Sequence, residues 1–195
     1  MSNQVTGVIL AGGKGRRMQG ADKGLVDMSG KPMITYVIRA LAPQVSTVLI
    51  NANRNLEKYQ AFGYPVITDT RQGYHGPLAG MASCMEHAKT GYIITAPCDS
   101  PNIPGDYVSR MQGCLAAAHA DLCVAAGKGR LQPVFALIRT ALLQSLESFL
   151  QGDERKIDIW FNSQNMTTCD FSDRPDFFTN INTPDDMQLF VETRQ

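Results

Sequence analysis

The first half of the chain alternates short apolar runs with longer segments of helical periodicity. Four runs have the length of a strand, and they lie at 7–10, 47–50, 65–68 and 92–96. Apolar residues recur at helical spacing in the segments between and after them, at 32–41, 56–62, 78–89 and 106–118. Strands that alternate with helices are typical of a parallel sheet with crossover helices. We therefore predict an α/β fold of three layers, a mostly parallel, Rossmann-like sheet with helices on both faces.

The rhythm of the pattern changes in the second half. Strands are predicted there at 121–126, 132–138, 166–171 and 177–180, and a tight connection at 127–129 joins the first two. Helices are predicted at 140–150 and 154–161. A last helix begins after Thr183, a good N-cap, with Pro184 at its first position and Asp185 and Asp186 at the positive end of its dipole. A chain of 195 residues suits one domain.

Composition narrows the function classes. Lys and Arg together number 18, as do Asp and Glu, so the chain carries no net charge. This balance argues against nucleic-acid binding, which needs a basic footprint, and against a basic membrane-surface helix. We expect a cytoplasmic protein, because no signal-peptide pattern opens the chain and no apolar stretch has transmembrane length. The cysteines are odd in number and form no CxxC motif, so we expect reduced thiols at Cys84, Cys98, Cys114, Cys123 and Cys169.

Polar residues follow each of the first four predicted strands. A glycine-rich loop with Lys14, Arg16 and Arg17 follows the first strand, and the later strands are followed by Asn51, Asp69 and Asp99. Open parallel sheets bind ligands outside the carboxyl ends of their strands. We therefore expect these residues to share one site, with ordinary loop polarity as the alternative.

The glycine-rich loop at 12–15 matches neither a Walker loop nor a Rossmann fingerprint. Its glycines nevertheless allow backbone N–H groups to approach phosphate oxygens closely, and such nests bind anions. Nearby cationic side chains belong to Lys14, Arg16, Arg17 and Lys23. The alternative is a tight strand-to-helix turn with solvated basic residues.

Asp99 lies between Pro97 and Pro101, just after an apolar strand. A carboxylate held on a stiff loop suits Mg²⁺, which takes one or two carboxylates together with substrate phosphates. A capping or turn aspartate is the alternative for Asp99. Lone histidines, Trp160 and the Phe177–Phe178 pair are expected to be structural.

Several motifs together resemble a known family. Leu10-Ala-Gly-Gly, Arg17-Met18 and Lys23 look like the N-terminal signature of nucleotidylyltransferases with a GT-A-like fold. More narrowly, three later segments are similar to those of the molybdenum cofactor guanylyltransferases: Gly76-Pro-Leu-Ala-Gly80, Pro97-Cys-Asp99 and Asn180-Ile-Asn-Thr-Pro-Asp185. The resemblance covers essentially the whole chain in order and spacing.

The resemblance implies a Mg²⁺-dependent transfer of GMP from GTP to the terminal phosphate of molybdenum-molybdopterin. Residues 1–100 would form the nucleotide-binding half and 101–195 the acceptor-binding half. The implied GTP-binding residues are Leu10, Ala11, Gly12, Gly13, Lys23, Asn51, Asp69, Leu78 and Asp99. Arg17, Lys23 and Asp99 would be catalytic, and Asp99 would bind the metal. The implied acceptor-binding residues are Arg155, Lys156, Asn180 and Asn182.

Other interpretations of these residues remain open. Arg155 and Lys156 also suit a solvated helix face, and Asn180 and Asn182 suit turns or caps. The motif at 76–80 favours guanine over cytosine, but a cytidylyltransferase is an alternative, as is a transferase for a sugar phosphate or polyol phosphate. A further alternative is a non-catalytic GTP-binding module for cofactor delivery. The resemblance also implies partners that insert or deliver the molybdenum cofactor.

Overall fold

A seven-stranded sheet runs through the part of the chain that the structure, a computed structural model, describes: residues 4–11, 22–70, 76–152 and 154–192. The strands are β1 (Val5–Leu10), β2 (Thr47–Asn51), β3 (Val66–Ile67), β4 (Tyr92–Pro97), β5 (Leu122–Gly127), β6 (Arg130–Arg139) and β7 (Met166–Asp170). Their order across the sheet is β3-β2-β1-β4-β6-β5-β7, and only β6 runs against the others. The predicted fold class is therefore confirmed.

Helices cover both faces of the sheet. They are α1 (Ile34–Leu41), α2 (Leu56–Gln60), α3 (Pro77–His87), α4 (Tyr107–Ala117), α5 (Leu143–Gln151), α6 (Ile157–Asn162) and α7 (Pro184–Glu192). Apolar residues of α1, α2 and α4 pack in one core cluster, and those of α3, α5 and α6 pack in another on the opposite face. Within the described residues, no helix has the length and apolar character needed to cross a membrane.

Burial on both faces explains why the central strands are continuously apolar. Val8 of β1 faces the core cluster of α3, whereas its neighbour Ile9 faces that of α1. Both side chains are completely buried. Parallel strands covered on both faces need apolar residues at every position, and this is why the run at 7–10 shows no alternation.

The antiparallel strand β6 meets β4 along only part of its length. The ladder joins Tyr92–Ile94 of β4 to Leu137–Arg139 of β6 and ends there. Beyond it, the Thr95 hydroxyl donates a hydrogen bond to the carbonyl of Val134 at 2.8 Å and accepts one from the N–H of Ala136 at 3.2 Å. The Thr95 side chain thus supplies hydrogen bonds between the two strands where the backbone ladder ends.

The predicted strand at 177–180 is wrong. This segment is a turn, in which the N–H of Phe177 bonds to the carbonyl of Arg174 and that of Thr179 bonds to the carbonyl of Asp176. Phe177 and Phe178 are buried, as expected for core residues, and their rings stack at 4.3 Å. They belong to an aromatic cluster with Tyr107, Phe135 and Phe171. The apolar pattern at 177–180 reflects burial of these two side chains, and the segment pairs with no strand of the sheet.

The expectation of five reduced thiols is also corrected. Cys114 of α4 and Cys169 of β7 are paired as a disulfide, with their Cα atoms 5.7 Å apart. The residues are 55 positions apart in sequence, and the packing of α4 against β7 brings them together. Cys84, Cys98 and Cys123 are buried free thiols, in agreement with the prediction.

Candidate functional site

Lys23 and Asp99 meet at the carboxyl edge of the sheet, the edge where the parallel strands β1 to β4 end. Lys23 begins a short 3-10 turn (Lys23–Leu25), and Asp99 lies two residues beyond β4. The ammonium Nζ of Lys23 is 2.9 Å from Oδ2 of Asp99 and also donates a hydrogen bond to Oδ1 of Asn182. Three residues that lie far apart in sequence therefore share one contact.

Asn180 and Asn182 reach this edge on a segment that returns across the aromatic cluster. We call residues 171–182 the return segment. The N–H of Ile181 donates to the carbonyl of Asp99 at 2.9 Å, and the Ser100 hydroxyl donates to Oδ1 of Asn180 at 2.7 Å. These bonds fix the return segment against the loop that carries Asp99.

The start of α7 holds the end of the return segment. Oδ2 of Asp186 accepts hydrogen bonds from the backbone N–H groups of Asn182 and Thr183, each at 2.9 Å. The N–H of Asp186 bonds in turn to the Thr183 hydroxyl at 3.1 Å, so the predicted N-cap is confirmed. Acceptance of these hydrogen bonds lowers the pKa of Asp186 from its ordinary value. The cap thus also positions Asn182.

Asn51 and Asp69 form a second group on the same edge, at the ends of β2 and β3. The amide of Asn51 donates to Oδ1 of Asp69 at 2.8 Å and to the carbonyl of Ile67 at 3.1 Å. Asn53 donates to Oδ2 of Asp69 at 2.8 Å and accepts a bond from the Asp69 N–H. Asn53 was not among the predicted site residues, although its position two residues after Asn51 at a strand end is a usable signal.

Gly80 of α3 makes room for this group. A Cβ atom at Gly80 would overlap Oδ1 and Cγ of Asn51. The side chain of Asn51 is buried against the helix, so the orientation of its amide toward Asp69 depends on the missing side chain at Gly80. The last glycine of the 76–80 motif therefore has a packing function.

The remaining predicted nucleotide residues take different positions. Leu10 and Ala11 lie at the end of β1, where the carbonyl of Leu10 accepts the Cys98 N–H and the N–H of Ala11 bonds to the Asn51 carbonyl. The side chain of Leu78 is completely buried in the core cluster of α3, so only its backbone could contact a nucleoside. That contact stays a prediction. Gly12, Gly13 and Arg17 lie outside the described residues.

Arg155 and Lys156 lie in the turn between α5 and α6. Helix α5 follows a turn at Thr140, which bonds to Thr90 and Gly91 at the opposite edge of the sheet. Trp160 of α6 donates a hydrogen bond to the Ser145 hydroxyl of α5 at 3.3 Å, so the two helices pack together. The guanidinium of Arg155 donates to the carbonyl of Glu154 at 2.7 Å, and Lys156 is exposed. These contacts are local, and the acceptor role of both residues stays a prediction.

The carboxylates at the carboxyl edge are spread out. Asp99 and Asp69 belong to the two separate groups described above, and among the described residues no cluster of three or more His, Cys, Asp or Glu side chains has the form of a metal cage. The metal role of Asp99 therefore stays a prediction. The Asp99 side chain is 13% exposed and the Lys23 side chain 24%, so a ligand can reach both.

Comparisons with known proteins agree with this geometry. The family model described as the MobA-like NTP transferase domain matches residues 7–165. Molybdenum cofactor guanylyltransferases from Shewanella loihica and Shewanella sediminis are 47% and 48% identical over 192 residues, which cover 98% of each chain. A solved structure of molybdopterin-guanine dinucleotide biosynthesis protein A from Archaeoglobus fulgidus has a TM-score of 0.79 at 22% identity and covers 97% of this chain and 100% of that one.

A more distant solved structure shares the fold. It is the CMP:2-keto-3-deoxy-manno-octonic acid synthetase complexed with CTP, with a TM-score of 0.74 at 16% identity, and it covers 97% of this chain and 99% of that one. At this identity the likeness concerns the fold alone. The full-length relatives therefore carry the family assignment, and the solved structures support the architecture.

Proposed function

We propose that this chain, which belongs to the family of MobA-like NTP transferases and is similar over nearly its whole length to molybdenum cofactor guanylyltransferases, transfers GMP from GTP to the terminal phosphate of molybdenum-molybdopterin. The products are the molybdopterin guanine dinucleotide cofactor and pyrophosphate. The observation that supports this proposal most directly is the contact of Lys23 with both Asp99 and Asn182. It joins a cation, a carboxylate and a residue of the second half at one point of the carboxyl edge.

The two groups at the edge suit the two ends of a nucleoside triphosphate. The Lys23 ammonium suits the phosphates, because charge-assisted bonds to phosphate oxygens are strong. Asn51 and Asp69 suit the nucleoside, since an amide and a carboxylate offer donors and acceptors in a fixed arrangement. The return segment, with Asn180 and Asn182, suits the acceptor. The two halves at 1–100 and 101–195 would then bind the two substrates.

The reaction requires little proton transfer. An oxygen of the acceptor phosphate forms a bond to the α-phosphorus of GTP, and the bond from that phosphorus to the β-phosphate oxygen breaks, so that pyrophosphate leaves with the bonding electrons. Because the nucleophile is anionic near neutral pH, positioning and charge stabilisation supply most of the catalysis. Lys23, and Arg17 from the loop outside the described residues, would offset the negative charge on the phosphates.

The metal in this proposal is Mg²⁺, and Asp99 is the side chain that would hold it. Bound Mg²⁺ polarises phosphoryl oxygens and orients them for in-line displacement. In the structure the ammonium of Lys23 neutralises the Asp99 carboxylate. In the bound state Asp99 would hold the cation and Lys23 would pair with the phosphates.

Pyrophosphate release tests the function against its alternatives. The protein is mixed with Mg²⁺, molybdenum-molybdopterin and each nucleoside triphosphate in turn. Of the nucleoside triphosphates tested, we expect only GTP to give pyrophosphate release. Release with CTP would identify a cytidylyltransferase. Release that occurs only when a sugar phosphate or polyol phosphate replaces molybdenum-molybdopterin would identify a transferase for another acceptor. Calorimetric GTP binding without any release would identify a non-catalytic delivery module.

A further inference from the structure

Asp22 is a buried carboxylate to which the proposed function gives no role. Its side chain is 5% exposed, although it directly precedes Lys23. Oδ1 accepts a hydrogen bond of 2.5 Å from the Tyr59 hydroxyl. Oδ2 accepts one of 3.0 Å from the amide of Asn55 and lies 3.3 Å from Nε of Arg54. Burial of a carboxylate is unfavourable unless such partners compensate it, so the surroundings of Asp22 are built to hold this group.

All three partners come from one short segment, residues 54–59, which leads into α2 and includes most of it. Asn55 precedes the helix in a left-handed backbone conformation, with φ of 51°, which asparagine adopts more readily than most residues. Tyr59 is completely buried one turn further on. Burial, more than any neighbouring charge, raises the pKa of the Tyr59 hydroxyl well above its ordinary value, so the phenol remains a protonated donor.

The residue after Lys23 fits the same arrangement. A Cβ atom at Gly24 would lie 2.6 Å from the Tyr59 hydroxyl oxygen and 3.4 Å from Sγ of Cys98. Only glycine allows the backbone to pass this close to the phenol. Asp22 and Gly24 therefore both pack against Tyr59. The side chain of Lys23, which lies between them in sequence, extends to Asp99.

We propose that Asp22 and Tyr59 are positioning residues that hold the backbone at Lys23 so that its ammonium faces the nucleotide phosphates. The carbonyl of Asp22 also accepts the Leu25 N–H at 2.9 Å and so begins the 3-10 turn that carries Lys23. Asp22 thus fixes that turn through its backbone and ties it to α2 through its side chain. The substrate group that Lys23 would bind in this position is a polyphosphate.

The inference rests on the proposed nucleotide site, and its test uses GTP binding in the full-length protein. Tyr59→Phe removes only the hydroxyl. We expect about a tenfold rise in the Kd for GTP by calorimetry, and a similar rise in the KM for GTP, because a hydrogen bond to a charged group is lost. We expect the fall in kcat at saturating GTP to be smaller than the rise in KM, since Tyr59 acts through Lys23 and does not touch the reacting atoms.

A double-substitution cycle separates positioning from general stability. Because Tyr59 acts through Lys23, Lys23→Ala and Lys23→Ala/Tyr59→Phe should bind GTP within about twofold of each other. Asp22→Asn, which keeps an oxygen for the phenol, should lose less affinity than Asp22→Ala. Tyr107→Phe is the matched control, because it removes another fully buried hydroxyl, bonded to the carbonyl of Thr95 at 2.9 Å, and should leave GTP affinity unchanged.

The outcomes are distinguishable. Unchanged GTP affinity in Tyr59→Phe, with a clear loss in Lys23→Ala, overturns the positioning role and leaves the proposed function intact. Equal losses in Tyr59→Phe and Tyr107→Phe, or independent losses in the double-substitution cycle, also overturn the positioning role. Unchanged affinity in Lys23→Ala overturns the phosphate-binding role of Lys23 and with it the positioning role, whereas the proposed function is overturned by the pyrophosphate test.

Discussion

The two halves of the sheet deliver side chains to the carboxyl edge in different ways. In the parallel half, Asn51, Asp69 and Asp99 each stand at or just beyond a strand end, and the backbone of the sheet fixes their spacing. In the second half, Asn180 and Asn182 lie on the return segment, which follows β7 and contains no strand. Buried phenylalanines anchor this segment. Strand ends thus fix the proposed nucleotide side, whereas side-chain packing supports the proposed acceptor side.

Asp99→Asn is the strongest test of the parallel half. The change keeps the size of the side chain but removes its charge, so we expect turnover to fall by about a thousandfold while the fold is retained. Pyrophosphate release and circular dichroism measure the two quantities. Asp121→Asn is the control, because Asp121 pairs with Arg139 at the opposite edge of the sheet. Near-normal turnover in Asp99→Asn would remove the basis of the metal assignment.

Phe178→Ala tests the packing that supports the acceptor side. We expect unfolding free energy to fall by about 3 to 5 kcal/mol, the usual loss when a buried phenylalanine is truncated. Because the return segment loses its anchor, the KM for the acceptor should rise more than the Kd for GTP. Denaturant unfolding and steady-state kinetics provide the measurements.

A matched control for Phe178→Ala lies on the other face of the sheet. Phe161 is also buried, but it packs in the core cluster of α3. Phe161→Ala should cost similar stability without a selective rise in the acceptor KM. A selective rise in both variants would show that the acceptor side responds to stability in general.

Gly80→Ala tests how closely α3 must approach Asn51. The new methyl group would displace Asn51, and overpacking of this kind costs about 1 to 3 kcal/mol. GTP affinity should fall as well, because the Asn51–Asp69 bond is disturbed. Gly113→Ala in α4 is the control, since a Cβ there meets nothing within 4 Å and alanine favours the helix. Equal behaviour of the two variants would contradict the packing role of Gly80.

The smallest expected effect concerns the cap that ends the return segment. The pKa of Asp186 is lowered in the folded protein, so its contribution to stability is present above its ordinary value of 3.8 and is lost as pH falls through the lower folded value. Asp186→Ala should therefore be less stable than the unsubstituted protein at pH 7, and the difference should shrink in strong acid. Thermal unfolding at several pH values measures it, and a pH-independent difference would contradict the cap.

The difference between strand ends and the return segment also explains which features the sequence predicted and which it did not. Apolar periodicity predicted β1 to β4 and the side of the sheet on which Asn51, Asp69 and Asp99 lie, because strand direction fixes where a strand end points. The strand predicted at 177–180 failed since buried aromatic residues occur in turns as well as in strands. The pairing of Cys114 with Cys169 and the bonds to Asp22 depend on distant segments packing together, which no local pattern records.

The backbone ladder between β4 and β6 pairs only three residues of each strand. Strands β1 to β4 lie on one side of this ladder, and the β5–β6 hairpin with β7 lies on the other. A short ladder constrains the two parts of the sheet less than a full-length ladder would. We expect relatives with different second substrates to differ chiefly in the part with β5 to β7, and to keep the strand lengths of the part with β1 to β4 because they share the nucleotide substrate.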